Sequence, residues 1–152
     1  MKTRFLPLAL LTLVSCEAPI QNVEPEVADI EENELDYQMI NERKIEWNDI
    51  LSKGQDRYVV YFYSEYCGYC RLIKQTVLNY YLLDLDKMFF VDTVEQNAIY
   101  KPNNGDLIGS NHINDIYIMG TPFLMEVINN TVTNWYGGVD SIELYINNRK
   151  GN

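Results

Sequence analysis

The chain has 152 residues and a formal net charge of −10, and 47% of its residues are hydrophobic and 12% aromatic. This length is enough for one domain with a single core, and it leaves no room for a second catalytic domain. The twelve Lys and Arg residues are scattered, so the charge argues against a nucleic-acid partner, because phosphates are neutralised by clustered basic side chains.

The first fifteen residues have the layout of a secretory signal. Lys2 and Arg4 give a basic start, residues 5–14 are an apolar run, and Ser15 is small. A helix needs roughly 20 apolar residues to cross the hydrocarbon core, so the run is too short for a lasting transmembrane span. The pattern therefore predicts a signal peptide over residues 1–15.

The end of this segment suggests a lipid anchor. The letters "LVSC", Leu13 to Cys16, resemble the lipobox of bacterial lipoproteins, in which the cysteine is acylated and becomes the first residue after cleavage. The resemblance implies a lipid on Cys16 that holds the protein on the extracytoplasmic side of a cell membrane, in the periplasm or at the cell surface. The alternative is an ordinary signal peptide that contains a cysteine.

An acidic stretch follows. From Glu17 to Asp36, eight of twenty residues are Asp or Glu, none is Lys or Arg, and no aromatic residue occurs. Such a composition buries too little apolar surface to offset the entropy of ordering. We therefore expect residues 16–36 to form a disordered tether and residues 37–152 to form the folded domain.

The first half of the domain alternates between helical and strand patterns. Four segments are predicted from apolar spacing, β-branched and aromatic content, and the absence of internal Gly or Pro. They are a helix over Ile40–Leu51 that ends near Gly54, a doubly buried strand over Tyr58–Tyr63, a helix over Arg71–Leu83 and a strand over Met88–Val94.

The second half contains turn formers and then a strand pair. Residues 97–117 are rich in Gly, Asn and Pro and are predicted to be irregular, with room for one short helix. The elements predicted after them are a strand over Phe123–Ile128, a turn over Asn129–Thr131, a strand over Val132–Tyr136, and a helix over Asp140–Asn148 capped by Asp140 or Ser141. The order predicts an α/β sandwich around one mixed sheet.

The pair Cys67 and Cys70 in "SEYCGYC" carries the chemistry. A zinc site needs four ligands, and the chain offers only His112 besides this pair, so no metal is expected; His112 itself is assigned no role. Covalent haem needs a histidine directly after the second cysteine, where Arg71 stands. A structural disulfide is the remaining alternative, but its loop encloses only Gly68 and Tyr69 and would stabilise little.

A redox role has a physical basis. The pair lies between a buried strand and a long helix, so Cys67 is expected at the helix N-terminus, where backbone N–H groups favour the thiolate. Cys67 would attack a disulfide, and Cys70, one turn further along the helix, would resolve the mixed disulfide. With Cys16 carrying lipid, no thiol is left over, and no organic cofactor is expected.

Two motifs point to a known family. "YVVYFYSEYCGYC" resembles the strand and active-site start of thioredoxin-like proteins, and "MGTPFLMEV" with a following "GG" resembles the segment that carries their cis-proline. The resemblance implies a three-layer α/β sandwich with a central mixed sheet, covering roughly residues 40–150. It also implies that Pro122 is a cis-proline beside the cysteines and that Thr121 offers backbone groups to a bound substrate.

The sequence departs from the family at several positions. Many thioredoxins have a buried Asp where this chain has Tyr61 and a Trp where it has Tyr63. Glu126, in the third strand, is expected to be an edge or outward-facing carboxylate, with a buried proton acceptor as the alternative. Tyr66, Gly68 and Tyr69 are predicted to contact substrate.

The predicted function is a membrane-anchored, extracytoplasmic thiol–disulfide oxidoreductase. Its partners would be protein thiols or disulfides and a membrane or extracytoplasmic redox partner. Reductase, oxidase and isomerase remain alternative directions. A surface lipoprotein that uses the same fold as a redox-inactive binding or accessory module is the alternative function.

Overall fold

The computed structural model describes residues 35–101 and 106–151. Six regular elements form the framework: β1 (Arg57–Tyr63), α1 (Gly68–Leu82), β2 (Met88–Asp92), β3 (Phe123–Ile128), β4 (Thr131–Gly137) and α2 (Val139–Lys150). Short 3₁₀ helices occur at Tyr37–Arg43, Trp47–Asp49 and Ile113–Asp115. The strands and the two α-helices thus follow the order that the sequence predicts.

The strands form one mixed sheet in the order β2-β1-β3-β4. β1 and β2 run parallel and are connected through α1, whereas β1 pairs antiparallel with β3, and β3 with β4. A parallel pair needs such a crossover connection, and an antiparallel pair can be joined by a tight turn. The predicted mixed sheet is therefore confirmed.

β1 is buried on both faces of the sheet. Its residues from Tyr58 to Tyr63 are all fully buried, as the run of aromatic and β-branched side chains predicts. Tyr61 and Tyr63 point to the side covered by α1 and α2, while Tyr58 and Phe62 point to the opposite side. Alternation along this strand thus divides the core into two halves.

The two faces of the sheet are covered differently. α1, α2 and the 3₁₀ helix Tyr37–Arg43 pack on one face, through residues such as Ile73 and Ile146. The other face is covered by Trp47, Ile50 and Leu51 and by the segment around Ile116–Ile118. The three-layer α/β sandwich is confirmed, with 3₁₀ turns and loops as its third layer.

The helix predicted over Ile40–Leu51 is wrong. Two 3₁₀ helices occupy this region, and an extended break between them places Lys44 in a parallel bridge with Phe90. The Ile45 N–H donates to the Phe90 carbonyl at 2.9 Å. Pairing with the edge of the sheet at β2 therefore competes with helical hydrogen bonding and prevails over the local apolar spacing.

The structure gives the outcome of two other predictions, the turn between β3 and β4 and the cap of the last helix. Asn129 and Asn130 both have positive φ, of 49° and 60°, and make a two-residue turn that matches the twist of the paired strands. The predicted cap at Asp140 or Ser141 is wrong, because α2 begins one residue after Gly138, which has φ 80° and serves as the N-cap. The Ser141 hydroxyl instead donates to the Gly137 carbonyl at 2.6 Å.

The predicted signal peptide, Cys16 and the tether up to residue 34 lie outside the described residues. Leu35 and Asp36 are described and contact α1. The Leu35 N–H donates to Gln75 Oε1 at 3.1 Å, and Asp36 forms an ion pair with Lys74 at 3.0 Å. Within residues 35–101 and 106–151, neither helix has the length and apolar character needed to cross a bilayer.

Candidate active site

Cys67 stands at the N-cap of α1. Its Sγ accepts a hydrogen bond from the Cys70 backbone N–H at 3.2 Å, as a serine oxygen does at an ordinary cap. The helix therefore begins at Gly68, three residues before the predicted start, because a sulfur atom satisfies its first turn. Cys67 is partly exposed and Cys70 is buried, and both carry free thiols.

The two thiols differ in acidity. Burial by itself would raise the pKa of Cys67, but interactions with the Cys70 thiol and with the backbone N–H groups of Cys70 and Tyr69 hold that pKa below its usual value. Burial, together with the neighbouring Cys67, raises the pKa of Cys70 to about 12. The exposed sulfur is therefore the one that ionises first.

The Thr121–Pro122 loop lies against Cys67. The Cys67 thiol donates to the Thr121 carbonyl at 3.2 Å, across 54 positions of sequence. The Thr121–Pro122 peptide bond is cis, which confirms the geometry that the resemblance implies. This loop brings backbone groups within contact of the exposed sulfur.

A small apolar cavity adjoins the same loop. It measures about 220 Å³ and is lined by the 119–123 segment, by Trp135 and by Gly137 and Gly138. A Cβ on Gly137 would make ordinary van der Waals contact with the rings of Phe123 and Trp135, at 3.6 Å and 3.7 Å. Trp135 was not singled out by sequence, because its place opposite Met125 depends on the register between β3 and β4.

Several apolar side chains close to the cysteines in the chain are exposed. Tyr66 and Tyr69 are 83% and 68% exposed, and Leu72, three positions beyond Tyr69 on α1, is 74% exposed. Leu72 and Ile73 both fit the helical pattern of α1, and the structure buries Ile73 and exposes Leu72. Tyr66 and Tyr69 thus present exposed apolar surface directly before Cys67 and between the two cysteines in the chain.

A layer of tyrosines lies beneath Cys70. Tyr37, Tyr61 and Tyr63 belong to the same buried cluster as the Cys70 side chain. The Tyr37 and Tyr63 rings stack with centroids 4.0 Å apart, and Tyr61 stacks on Tyr63 at 6.3 Å. Tyr37 also lines a cavity of about 300 Å³ with Asp36, Glu65, Arg71 and Lys74, which opens at the start of α1.

Glu126 lies away from the cysteines. Its strand, β3, is flanked on both sides, so the predicted edge position is wrong. The carboxylate is mostly buried and accepts from Arg57 Nε at 3.0 Å, at the end of β1 remote from Cys67. Glu126 is thus an ion-pair partner of Arg57 and not a strand-edge carboxylate or a proton acceptor for the cysteines, and of the predicted outward-facing orientation it retains a side chain that is 14% exposed.

The other polar residues that the structure describes do not add a metal site. Within the two described ranges, no cluster of three or more His, Cys, Asp or Glu side chains has the arrangement of a metal site. His112 is exposed and precedes the short 3₁₀ helix Ile113–Asp115. Of the predicted site residues, Cys67, Cys70, Thr121 and Pro122 lie together, with Tyr66, Gly68 and Tyr69 on the adjoining surface.

Comparison with known proteins identifies similar domains. Residues 38–101 match the family model described as Thioredoxin. No curated protein matches the chain. Mitochondrial thioredoxin 3 from Saccharomyces cerevisiae, in its oxidized form, has 15% identity and a TM-score of 0.50, and the match covers 72% of this chain and 93% of that one. A thioredoxin from Malassezia sympodialis has 20% identity and a TM-score of 0.47, and the match covers 66% of this chain and 81% of that one.

Proposed function

We propose that this chain, which has a thioredoxin-like α/β fold, exchanges disulfides with protein cysteines through Cys67 and Cys70, from a membrane-anchored position outside the cytoplasm. The match to the Thioredoxin model supports thiol–disulfide oxidoreductase activity. One observation carries the assignment of residues: two thiols three positions apart have opposite pKa shifts, downward for the exposed Cys67 and upward for the buried Cys70. A purely structural pair would have no need of such a difference.

The proposed cycle assigns one step to each sulfur. The Cys67 thiolate attacks one sulfur of a substrate disulfide, forms a mixed disulfide and releases the other substrate sulfur as a thiolate. Cys70 then loses its proton, attacks Cys67 and releases the second substrate thiolate, so that the substrate gains two electrons and the pair becomes a disulfide. The reverse sequence oxidises a substrate dithiol.

Substrate docking is proposed along the exposed surface beside Cys67. The extended substrate chain would lie on the backbone of Thr121 and Pro122, and Tyr66, Gly68 and Tyr69 would contact its side chains. The exposure of both tyrosines and the cavity beside Pro122 support this proposal. Aromatic rings supply large contact area at low entropic cost, which suits a site that accepts many partners.

The membrane position rests on the sequence. The basic start, the apolar run and "LVSC" before Glu17 support a lipid on Cys16. Two or more acyl chains hold a protein stably on a bilayer, whereas one chain binds only marginally. A membrane or extracytoplasmic redox partner would restore the oxidation state of the pair after each cycle.

The experiment that tests the proposal uses three serine variants of the whole chain. C67S and C70S are each expected to abolish turnover of a protein disulfide, whereas C16S, the matched control, retains it in detergent solution. C70S should also accumulate a mixed disulfide that reducing agent releases, because Cys67 is left without its resolving thiol. Full turnover in C67S or C70S would end the proposal.

A further inference from the structure

The cavity at the start of α1 has no part in the cycle proposed above. It measures about 300 Å³, and its lining contains four charged side chains, two acidic and two basic: Asp36, Glu65, Arg71 and Lys74. Sites for small molecules begin at about this volume. The cavity can therefore hold a charged ligand of about the size of an amino acid.

Two of the four charges neutralise each other. Asp36 and Lys74 form an ion pair at 3.0 Å, and the Lys74 ammonium also lies 5.5 Å from the centre of the Tyr37 ring. The Lys74 side chain is only 17% exposed, so these two partners account for its charge. This pair forms one wall of the cavity and leaves no net charge there.

The other two charges have opposite signs and no partner. Glu65 and Arg71 are exposed, and neither side chain has an ion-pair or hydrogen-bond partner among the residues that the structure describes. Both line the same cavity, yet they do not pair with each other. A carboxylate and a guanidinium held apart in this way are complementary to a ligand that carries both an ammonium and a carboxylate.

Both side chains belong to the segment that carries the reactive sulfur. Glu65 lies two positions before Cys67, and the Arg71 backbone N–H donates to the Cys67 carbonyl at 3.2 Å. Side chains of an α-helix point back toward its N-terminus. Accordingly, Arg71 Nη2 lies 3.9 Å from the position that a Cβ on Gly68 would occupy. The guanidinium thus lies over the residue directly after Cys67.

We propose that Glu65 binds the ammonium and Arg71 the carboxylate of a zwitterionic low-molecular-weight disulfide, such as the disulfide of a free amino acid, and that this disulfide is a substrate of Cys67. The inference rests on the proposed function, because it uses the same thiol pair. In an amino-acid disulfide, both charged groups are attached to the carbon two bonds from the sulfur. A ligand held by its charges in this cavity therefore carries its disulfide close to them.

The reaction needs no other reagent. The Cys67 thiolate attacks one sulfur of the small disulfide, whose S–S bond breaks, and the first amino-acid thiolate leaves with the electron pair. Cys70 then loses its proton, forms a bond to Cys67 and releases the second amino-acid thiolate. The small disulfide gains two electrons, the cysteine pair becomes a disulfide, and the two departing thiolates take up protons from solvent.

The test compares four small disulfides that differ in charge. Cystine carries both groups, cystamine only ammonium groups, dithiodipropionate only carboxylates, and hydroxyethyl disulfide neither. In a chain with C16S and C70S, Cys67 is the only thiol, so each reagent forms one adduct whose rate is followed by protein mass. Each rate is divided by that of the parent chain, which cancels the intrinsic reactivity of the reagent.

Each charge has its own expected pattern. Arg71→Gln should slow cystine and dithiodipropionate about fivefold, the upper range for an exposed ion pair, and should not slow cystamine. Glu65→Gln should slow cystine and cystamine by about the same factor and should not slow dithiodipropionate. Hydroxyethyl disulfide should react at the parent rate in both variants, which shows that Cys67 itself is unchanged.

Two variants elsewhere in the chain are matched for charge. Glu95→Gln repeats the charge change of the Glu65 variant, and Lys87→Gln repeats that of the Arg71 variant, but neither residue lines the cavity. Glu95 is exposed, and the Lys87 side chain is 41% exposed. Both variants are expected to leave all four rates within about twofold of the parent, because exposed charges at a distance are screened by salt.

Three results would overturn the inference. One is a cystine rate that falls no more than the hydroxyethyl disulfide rate in either cavity variant. Another is slowing in only one of the two cavity variants, which would leave a site for a single charge. The third is the same pattern in the matched variants. Failure of the proposed function would look different, since protein disulfides would then not turn over even where the selectivity for cystine is present.

Discussion

The carboxylate of Asp86 provides a sharp test of how the scaffold is held together. Its side chain is 4% exposed and accepts from Tyr145 Oη at 2.7 Å, from Arg149 Nη2 at 2.8 Å and from the Tyr80 hydroxyl. Arg57, at the start of β1, lies 3.6 Å away. Asp86 thus connects α1, α2 and β1 at the end of the sheet remote from Cys67.

The substitution Asp86→Asn keeps the size of the side chain and removes its charge. Breaking a fully buried ion pair costs about 3–5 kcal/mol. The side chains of Arg149 and Arg57 are 29% and 37% exposed, so water compensates in part, and we expect a loss of about 2–3 kcal/mol. For a domain of this size, that corresponds to a fall in Tm of roughly 10 °C.

Chemical denaturation followed by tryptophan fluorescence measures this loss. Asp84→Asn is the matched control, since Asp84 is two positions away and its side chain, paired with Lys87 at 3.1 Å, is 63% exposed. Asn tolerates the positive φ of this position, 48°, so the control is expected to change stability by less than about 1 kcal/mol. Equal unfolding midpoints for the two variants would refute the reasoning.

The same carboxylate predicts a dependence on pH. Burial would raise the pKa of Asp86, but hydrogen bonds from Arg149, Tyr80 and Tyr145 outweigh it and hold the pKa below its usual value. Its contribution is therefore complete above the unfolded-state pKa, about 3.9, and is lost as pH falls through the lower folded-state pKa. D86N should flatten this part of the stability curve.

Three further predictions concern the site and the anchor. Alkylation of Cys67 in C70S should reach half its maximal rate below about pH 8.5, and Cys70 in C67S should react slowly at neutral pH, as measured with iodoacetamide across a pH series. Gly137→Val adds a side chain against Phe123 and Trp135 in the lining of the cavity beside Pro122, and it should raise KM for protein disulfides while leaving the reaction of Cys67 with small disulfides unchanged; equal effects on both would contradict the docking proposal. Cys16→Ser should move the chain from the membrane to the soluble fraction on cell fractionation, and retention at the membrane would exclude the lipid anchor.

The sheet and its helices could be predicted because their signals are local. The run of aromatic and β-branched residues predicted β1, and the largely apolar segment around Glu126 predicted β3. Asn129 and Asn130 predicted the turn, and helical spacing of apolar residues predicted the body of α1. The 3₁₀ helices at Tyr37–Arg43 and Trp47–Asp49 could not be found this way. Their form depends on pairing of Lys44 with β2, a contact that only the folded chain creates.

The two reactive cysteines of the candidate site could be predicted from the sequence, but the side chains around them could not. The spacing of Cys67 and Cys70 before a helical pattern indicated an N-terminal sulfur, and the structure has Cys67 at the cap. Trp135 reaches the site from β4, through register that sequence spacing does not encode. Leu72 is exposed and Ile73 is buried because of the face that α1 turns toward the sheet. Two adjacent apolar residues in the sequence do not specify that face.

The central claim is that the Cys67–Cys70 pair cycles between dithiol and disulfide. Its reduction potential, measured by equilibration with glutathione and separation of the two forms, tests that claim directly. The lowered pKa of Cys67 stabilises the dithiol form, so we expect a potential between about −120 and −270 mV, the range of catalytic pairs. A potential below about −300 mV, where structural disulfides lie, would contradict catalysis and favour a redox-inactive binding or accessory module.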